Sequence, residues 1–303
     1  MSRGSGADAA AEADADAFVV HRNLLFTVAY EMLGSAVDAE DVLQESWLRW
    51  NEVDRAQVRD QRAYLVRIVT RQALNQIRTQ ARRREQYVGE WLPEPLFTSP
   101  DVAADVELAE SVSIAMLTVL ETLGPAERAV FVLREVFDVP YDEIADAVGK
   151  TPAAVRQIAH RAKEHVAARR PRVTVDRAEQ EEVVARFAAA VNSGDVQALM
   201  DVLAPDVVSV ADGGGQVRGA AVRPIVGADK IARYLVGGIA KLGLPFVVRV
   251  VDVNGEPGIR AEIAGQLAGA VSVVVEGGRI TRIFSFANPS KLEWLDAGSV
   301  LER

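Results

Sequence analysis

Apolar residues recur every three or four positions from Leu24 to Ile77, which predicts a bundle of helices. The first helix is expected to end near Gly34, and Asp38 is expected to cap the second one. The helical pattern breaks over 88–106, where three prolines predict an extended linker. The first part of the chain is therefore predicted to be all-α.

Helical periodicity resumes from about Glu107 to Arg169. A short predicted helix after Pro140 is followed by a turn at Gly149 and then by a long basic helix, with Thr151 as its predicted cap. Two helices joined by a short turn that contains glycine, the second of them basic, are typical of a helix-turn-helix.

The composition changes after residue 170, and helical and strand-like patterns then mix. This mixture predicts an α+β domain with a curved antiparallel sheet. The predicted helices cover 177–193, 195–203 and 228–242, and the predicted strands cover 207–210, 246–253, 258–267, 271–275 and 279–286. Between them, 212–215 (Asp-Gly-Gly-Gly) is predicted to be a glycine-rich turn.

The fold class that follows is multidomain, with two all-α units and a C-terminal α+β unit. The Ala- and Asp-rich N-terminus is too poor in large apolar groups to form a core and is predicted to be disordered. The predicted divisions are the tail 1–16, a helical unit 17–87, the linker 88–106, a second helical unit 107–170 and the α+β domain 171–303.

Composition excludes several kinds of chemistry. The chain has 303 residues, no cysteine and three histidines, so it cannot form disulfides or thiolate zinc sites, and a histidine metal site is disfavoured. No apolar run approaches the ~20 residues of a membrane span, and the N-terminus lacks the apolar core of a signal peptide. A cytoplasmic protein without a cofactor or a metal is predicted.

The formal charge of −9 argues at first against nucleic acid, but the charge is unevenly distributed. Residues 59–84 hold eight arginines against Asp60 alone, a local +7, and 147–172 hold seven basic residues against Glu164, a local +6. Screening limits the reach of charge to about 8 Å at physiological salt, so local patches decide phosphate binding. Two solvated helix faces remain the alternative interpretation.

The basic helix after Thr151 carries candidates for reading duplex DNA. Arg156 and Gln157 lie near its N-terminal end, where recognition helices reach base edges. Arg161 and Lys163 are candidates for phosphate contacts. His160 is as well explained by a surface role as by a contact.

Two further helices have more than one interpretation. Arginines of 59–84 alternate with apolar and aromatic groups, which suits single-stranded nucleic acid but equally an amphipathic core helix. The acidic segment 38–50 carries two tryptophans, which suits a protein interface but equally a core helix.

The motifs together resemble a known family. Residues 38–50 (DAEDVLQESWLRW) with 64–68 (YLVRI) resemble region 2 of extracytoplasmic-function (ECF) RNA polymerase sigma factors. Residues 123–128 (LGPAER), 141–145 (YDEIA) and 160–163 (HRAK) resemble their region 4. The linker 91–95 (WLPEP), the loop 212–215 and 288–292 (NPSKL) resemble the SigJ-like subgroup, in which a SnoaL-like domain is fused at the C-terminus.

The resemblance implies site residues in both sigma regions. Core-polymerase binding to the β′ clamp helices would use Asp38, Asp41, Gln44, Glu45 and Leu48 of region 2, and the β flap is a second implied partner. The −10 promoter element would be melted and held by Arg62, Arg67, Arg71, Asn75, Arg78 and Arg82. The −35 element would be read by Thr151, Arg156, Gln157, His160, Arg161 and Lys163.

Several positions depart from the family's pattern. Arg71 stands where many relatives carry Asn, Asn75 where Asp is common, and Ile158 where a basic residue is frequent. Gln216 and Ser290 replace a usual Lys and a usual Asp in the C-terminal motifs.

The resemblance assigns the C-terminal domain to the ketosteroid-isomerase-like cone and implies regulation in cis. No histidine lies in this half, and Asp212, Asp229 and Asp252 are the least implausible bases, with Asp212 expected to be a turn residue. We therefore expect a regulatory domain without catalysis, and ligand sensing by it stays open. Interdomain contacts are expected from Trp91, Pro93, Asp212, Gly213, Gly214, Asn288, Pro289 and Leu292.

Three functions remain to be distinguished. The leading one is a sigma factor that binds core polymerase and promoter DNA. The second is a helix-turn-helix regulator that does not act as a sigma factor, which leaves segments 38–50 and 59–84 unexplained. The third is an isomerase- or cyclase-like enzyme fused to a DNA-binding module.

Overall fold

The computed structural model describes residues 17–85, 87–98, 111–169, 175–217, 219–296 and 300–301, with backbone alone at 81–85, 294, 296 and 300–301. The tail 1–16, predicted to be disordered, and the start of the helix predicted from Glu107 lie outside these residues. The chain divides into two compact units. The first unit comprises 1–82 and 120–169, and the second comprises 83–119 and 170–303.

The first unit begins with three helices, α1 (Arg22–Leu33), α2 (Ala36–Asn51) and α3 (Gln61–Glu85), with a 3-10 turn at Arg55–Gln57. Gly34 ends α1 in the left-handed conformation, with its N–H donating to Tyr30 O. The fully buried Tyr30, Trp50 and Leu65 belong to the core of this unit.

The predicted cap of α2 is wrong. Ser35 is the N-cap, and its hydroxyl accepts from the N–H of Asp38. Asp38 lies in the first turn of α2, where the helix dipole favours a carboxylate. Aspartate is therefore suited to the first turn as well as to the N-cap. The carboxylate of Asp38 instead accepts from Gln76 Nε2 at 2.7 Å and from Gln80 Nε2 at 2.5 Å, both on α3.

The helix-turn-helix prediction is confirmed. After α4 (Ile114–Leu120), the chain forms α5 (Pro125–Phe131), a π-helical turn (Val132–Val136), α6 (Tyr141–Val148) and α7 (Pro152–Ala167). Thr151 caps α7 by accepting from Ala154 N. The buried face of α7 consists of Val155, Ile158, Ala159, Ala162 and Val166.

Arg128 of α5 joins the two helical parts of the first unit. Its side chain is buried, and Nε donates to the main-chain oxygen of Glu31 at 2.9 Å. Its Nη1 pairs with Glu121 Oε1 at 2.8 Å. A buried guanidinium needs such partners because desolvating an unpaired charge is costly.

The second unit contains the predicted α+β domain together with residues 83–119. Its helices are α8 (Arg177–Ser193), α9 (Val196–Val202), α10 (Ala228–Leu242) and α11 (Pro289–Asp296). Its strands are β1 (Phe97–Thr98), β2 (Leu203–Asp212), β3 (Ile225–Val226), β4 (Phe246–Val253), β5 (Glu256–Ile263), β6 (Gln266–Glu276), β7 (Arg279–Phe286) and β8 (Val300–Leu301). They form one sheet in the order β3-β2-β7-β6-β5-β4-β1-β8.

Two features of this sheet differ from the prediction. The sheet is mixed rather than antiparallel, because β2 runs parallel to β7 and β1 runs parallel to β8. The strand predicted over 258–267 is two strands, which turn at Ala264 and Gly265, both with positive φ. Alternation of side chains continues through this short turn, so the hydrophobic pattern did not reveal it.

The linker supplies a strand to this sheet. Phe97 of β1 pairs with Val253 of β4 in antiparallel orientation. Leu92 and Leu96 are 2% and 1% exposed, so this part of the linker is packed into the second unit. The core of the unit lies between α8, α10 and the sheet and includes Phe187 and Ile231.

Candidate functional site

The end of strand β2 holds the linker through Asp212. This side chain is fully buried, and its Oδ2 accepts from the main-chain N–H of Leu92 at 3.0 Å and from Lys291 Nζ at 2.7 Å. The hydroxyl of Tyr87 donates to the other carboxylate oxygen. The prediction of Asp212 as a turn residue is wrong, because the glycines after it form the turn and leave the carboxylate inside.

Lys291 of α11 completes the ion pair from the other side of the linker. Its Nζ also donates to the carbonyl of Leu92 and lies 3.5 Å from the ring centroid of Trp91. Tyr87 packs edge-on against Trp91 with centroids 4.7 Å apart. Burial, and next the hydrogen bond to Asp212, raise the pKa of the Tyr87 phenol above its ordinary value. The phenol therefore remains a proton donor to the carboxylate.

Asn288 and the glycine loop close the arrangement. Asn288 Nδ2 donates to the Tyr87 oxygen at 2.7 Å, and its main-chain N–H donates to Asp212 O at 3.0 Å. A Cβ on Gly214 would lie 2.5 Å from Asn288 Nδ2, and one on Gly215 would lie 2.9 Å from the Cβ of Val88. We name Tyr87, Trp91, Asp212, Asn288 and Lys291 the linker clamp.

The structure places all the predicted interdomain residues in the second unit. Trp91, Asp212 and Asn288 belong to the linker clamp. Of the others, Pro93 is buried in the linker and Leu292 is buried on α11. Pro289 is exposed at the start of α11, and a Cβ on Gly213 would lie 2.7 Å from that of Ala220.

The residue patterns missed Tyr87 and Lys291 as members of this group. Lys291 lies within the motif 288–292, whereas Tyr87 lies in none of the motifs. No spacing rule identifies a counter-ion 79 residues away.

The exposed face of α2 carries most of the predicted polymerase contacts. Asp41, Gln44 and Glu45 are exposed, and Leu48 is 60% exposed. Asp38 differs from these residues, because its carboxylate accepts hydrogen bonds from two side chains of α3. A polar groove of about 290 Å³ separates α2 from α3 and is lined by Asp41, Val42, Glu45, Gln72, Asn75, Gln76 and Thr79.

The predicted −10 residues lie along α3. Arg62, Asn75 and Arg78 are exposed, whereas Arg67 is half-buried with its guanidinium 4.7 Å from the ring centroid of Tyr64. Arg71 is exposed but donates to the main-chain oxygen of Asp146 on α6 at 2.7 Å. The side chain of Arg82 lies outside the described part of α3.

A cleft of about 460 Å³ lies beside this helix, within the first unit. Its wall includes Arg59, Tyr64 and Arg67 on one side and Glu143 and Asp146 of α6 on the other. Burial raises the pKa of Glu143 above its ordinary value, and the charge of Asp60 adds to the rise. The cleft therefore brings basic and acidic groups together.

The predicted −35 residues form one exposed face of α7, made of Arg156, Gln157, His160, Arg161 and Lys163. Thr151 caps the helix. Arg156 lies 5.5 Å from the ring centroid of Tyr141 on the preceding helix.

Two basic groups of this face have acidic partners in the same unit. Lys163 Nζ bonds to Glu135 Oε2 at 2.6 Å, and this bond raises the pKa of Lys163. Arg161 Nη2 lies 3.9 Å from Glu127 Oε1. Both cations are more than half exposed, so these pairs are weak and open to exchange for phosphate.

The residues considered as catalytic candidates each have a structural partner. Asp229 pairs with Arg233, and Asp252 pairs with Arg177 at 2.6 Å. The hydroxyl of Tyr234 donates to Gly219 O and accepts from a main-chain N–H. Over the residues described above, no cluster of three or more His, Cys, Asp or Glu side chains suits a metal ion. Over the same residues, no helix is both long and apolar enough to cross a membrane.

Two family models match the chain in the order of its helical parts. Sigma-70 region 2 matches residues 18–83, and Sigma-70, region 4 matches residues 113–166. The first range covers α1, α2 and most of α3, and the second covers α4 to α6 and nearly all of α7.

Full-length relatives and a solved structure extend the match to the C-terminal unit. The ECF RNA polymerase sigma factor SigJ of Mycobacterium tuberculosis is 37% identical over 287 residues, covering 90% of this chain and 91% of SigJ. The probable ECF RNA polymerase sigma factor SigI of the same species is 34% identical, covering 93% of this chain and 95% of SigI. The crystal structure of M. tuberculosis SigJ covers 94% of this chain and 99% of its own, with a TM-score of 0.73 and 34% identity. The α+β cone of the SnoaL-like type follows the two helical sigma regions here as predicted, and the chain belongs to the ECF RNA polymerase sigma factors.

Proposed function

We propose that this sigma factor directs core RNA polymerase to promoters through three separate surfaces, and that its C-terminal domain modulates this activity in cis by holding the linker. The observation that carries the second part is the double bonding of Leu92. Its N–H donates to Asp212 and its carbonyl accepts from Lys291. One linker residue thereby joins two motifs of the C-terminal domain.

The exposed face of α2 is the proposed contact with core polymerase. Asp41, Gln44, Glu45 and Leu48 present an acidic surface around one large apolar side chain. An apolar anchor surrounded by polar groups is the usual composition of an interface centre and its rim. Asp38 supports this surface by fixing α2 to α3, and the β′ clamp helices are the proposed partner.

The arginine face of α3 is the proposed single-strand surface for the −10 element. Arg62, Arg71 and Arg78 supply exposed cations, and the ring of Tyr64 beside Arg67 supplies a stacking surface. Because Arg71 is bonded to Asp146, promoter melting by this face requires that bond to exchange for a phosphate contact.

The exposed face of α7 is the proposed reader of the −35 duplex. Arg156 and Gln157 lie in its first turns, where a recognition helix meets base edges. Arg161 and Lys163 are placed farther along for phosphates, and their acidic partners lower the affinity for non-specific DNA. Region 4 is also the proposed contact for the β flap.

The C-terminal domain is proposed to be regulatory rather than catalytic. Its core between helices and sheet is filled by apolar side chains such as Val183, Phe187 and Ile259. General acid–base chemistry needs a placed titratable group in such an interior, and Asp229, Asp252 and Tyr234 have structural partners instead. A small ligand is not part of the proposal. A protein that acts with core polymerase on DNA works in the cytoplasm, so we propose that this protein is a bacterial cytoplasmic protein.

Run-off transcription with purified core polymerase tests both parts. The template is the upstream region of the protein's own gene, and the full chain is compared with Lys291→Met and with Arg233→Met, which breaks an exposed pair in the same domain. We expect promoter-dependent transcripts from the full chain and from Arg233→Met, and an altered yield from Lys291→Met. Failure of the full chain to bind core polymerase would favour the helix-turn-helix regulator. Equal yields from all three proteins would reject modulation through the clamp.

A further inference from the structure

The turn between β4 and β5 contacts Leu96 in the linker and Val112 after the linker through Asn254. Its main-chain N–H donates to Leu96 O at 2.9 Å, and its Oδ1 accepts from Leu96 N at 2.8 Å. Its Nδ2 donates to Val112 O at 2.8 Å. The next residue, Gly255, donates to the hydroxyl of Thr98 at 3.0 Å. A single hairpin turn thus binds the chain before and after the segment 97–111.

The burial and the backbone conformation of Asn254 both suit its position in this turn. It is fully buried, and with Gly255 it adopts positive φ, 53° and 78°, at the two central residues of the β4–β5 turn. Asn-Gly is the preferred pair for such a two-residue hairpin turn. The hairpin turn requires only the backbone conformation of Asn254. The two polar atoms of its side chain bond instead to Leu96 and Val112.

We infer that Asn254 is a positioning residue for promoter recognition, and that its bonds to Leu96 and Val112 form a staple that sets the effective length of the linker between regions 2 and 4. The inference rests on the proposed modulation in cis. It concerns a residue outside the linker clamp and outside the motifs that carry the family resemblance.

The geometric consequence is large. With the staple formed, Leu96 and Val112 are both held at one turn, so the chain between them adds nothing to the distance that the linker can span. With the bond to Val112 open and β1 still paired with β4, the 13 residues 99–111 allow an added span of up to about 45 Å, at ~3.3–3.6 Å per residue. Regions 2 and 4 bind two promoter elements at one spacing, so the reach of the linker bears directly on which spacings are accepted.

Two substitutions open the staple in different ways. Asn254→Gly removes both side-chain bonds and keeps the turn, because glycine adopts positive φ without strain. Asn254→Asp keeps the acceptor for Leu96 and replaces the donor to Val112 with an oxygen. The matched control is Asn192→Asp, because Asn192 makes the same pair of bonds to Val248 N and O in β4 without touching the linker.

The first measurement is hydrogen exchange of the full chain, read on peptides that cover 87–98 and 111–119. We expect about tenfold faster exchange at both linker ends in the two Asn254 variants and no change there in Asn192→Asp. Faster exchange at the linker in Asn192→Asp to the same degree would show that general loosening of the domain, not the staple, is responsible, and would overturn the inference.

The second measurement is the spacer preference of holoenzyme. Core polymerase with each variant transcribes a template library in which the distance between the −35 and −10 elements is varied. We expect the preferred spacer of wild type to be kept by Asn192→Asp, and a broader range to be accepted by Asn254→Gly. An unchanged spacer range in Asn254→Gly, together with a released linker, would overturn the inference. If Lys291→Met still alters transcription in that case, the proposed modulation in cis survives; if neither variant alters it, both fail.

Discussion

Lys291 Nζ lies 2.7 Å from Asp212 Oδ2, and the two side chains are 4% and 0% exposed. Removing such a pair from water costs several kcal/mol per ion, so it persists only where further hydrogen bonds satisfy both charges. Here Leu92 of the linker supplies them through both of its main-chain groups, together with the hydroxyl of Tyr87 just before the linker. The C-terminal domain therefore depends on the linker to accommodate its own buried charges.

Replacing Lys291 by Met is expected to destabilise the chain by about 3–5 kcal/mol, because the Asp212 carboxylate stays buried without its cation. The double variant Asp212→Asn/Lys291→Met is expected to lose less than the two single losses combined, since it leaves no unpaired charge. Chemical unfolding of the full chain, monitored by circular dichroism, gives the free energies of unfolding for this double-mutant cycle.

The control for this cycle is Arg233→Met. Arg233 and its partner Asp229 are 72% and 52% exposed, so its loss is expected to cost less than about 1 kcal/mol. Equal losses for Arg233→Met and Lys291→Met would contradict the importance of the buried pair.

Substituting Gly214 by Ala is expected to release the linker clamp. Gly214 has φ +57°, and its new Cβ would lie 2.5 Å from Asn288 Nδ2. Gly243→Ala is the matched control, because Gly243 has φ +64° with nothing within 4 Å of a Cβ. Both variants carry the backbone cost of about 1–2 kcal/mol, and only Gly214→Ala adds the steric one.

Thermal unfolding of the full chain separates these two costs. A lower Tm for Gly214→Ala than for Gly243→Ala is the expected result. Identical Tm values would mean that Asn288 moves aside freely and that the close approach of the glycine loop is not needed.

Arg156 and Lys163 are expected to affect −35 binding in different ways. Arg156→Ala should lose about 1–3 kcal/mol on the cognate element and relax the preference at one base pair. Lys163→Met should weaken binding to all duplexes alike and lower the salt slope by about 1. Holoenzyme binding to labelled duplexes, measured across a salt series, distinguishes the two.

Glu135→Gln provides the test in the opposite direction. It removes the acidic partner 2.6 Å from Lys163 and is expected to strengthen non-specific binding. Unchanged affinity in Glu135→Gln would show that this ion pair does not restrain the recognition helix.

Glu256 is expected to make the second unit less stable as the pH rises. Desolvation raises the pKa of this carboxyl to about 7, against the opposing charge of Arg177. The pKa of Glu256 is higher in the folded chain than in the unfolded chain. The free energy of unfolding is therefore highest below pH ~4.5, falls as the pH rises to about 7 and is constant above that pH. The expected fall in the free energy of unfolding is about 3 kcal/mol.

Glu256→Gln isolates this effect, because glutamine keeps the shape and does not titrate. The difference in unfolding free energy between the two proteins is expected to change between pH ~4.5 and about 7 and to be flat above that range. A difference that does not vary with pH would contradict a raised pKa.

Periodicity and caps were enough to predict most elements. The bounds of α8, α10, β4 and β7 follow directly from the apolar pattern, and Thr151 caps α7 as predicted. These features depend on residues close in sequence, whose spacing decides which face is buried. The same holds for the exposed face of α7, where the residues predicted to contact DNA lie.

Tertiary structure alone decided what holds the linker. Lys291 meets Leu92 across 199 residues, and Asn254 meets Val112 across 142, and no local preference encodes such partners. Asp212 shows the difference most directly. Its position before three glycines predicts a turn, yet the sheet buries its carboxylate where the ammonium of Lys291, the hydroxyl of Tyr87 and the main-chain N–H of Leu92 compensate the charge. The sequence thus determined the elements and the family, and long-range packing of charges onto the linker determined how the C-terminal domain holds it.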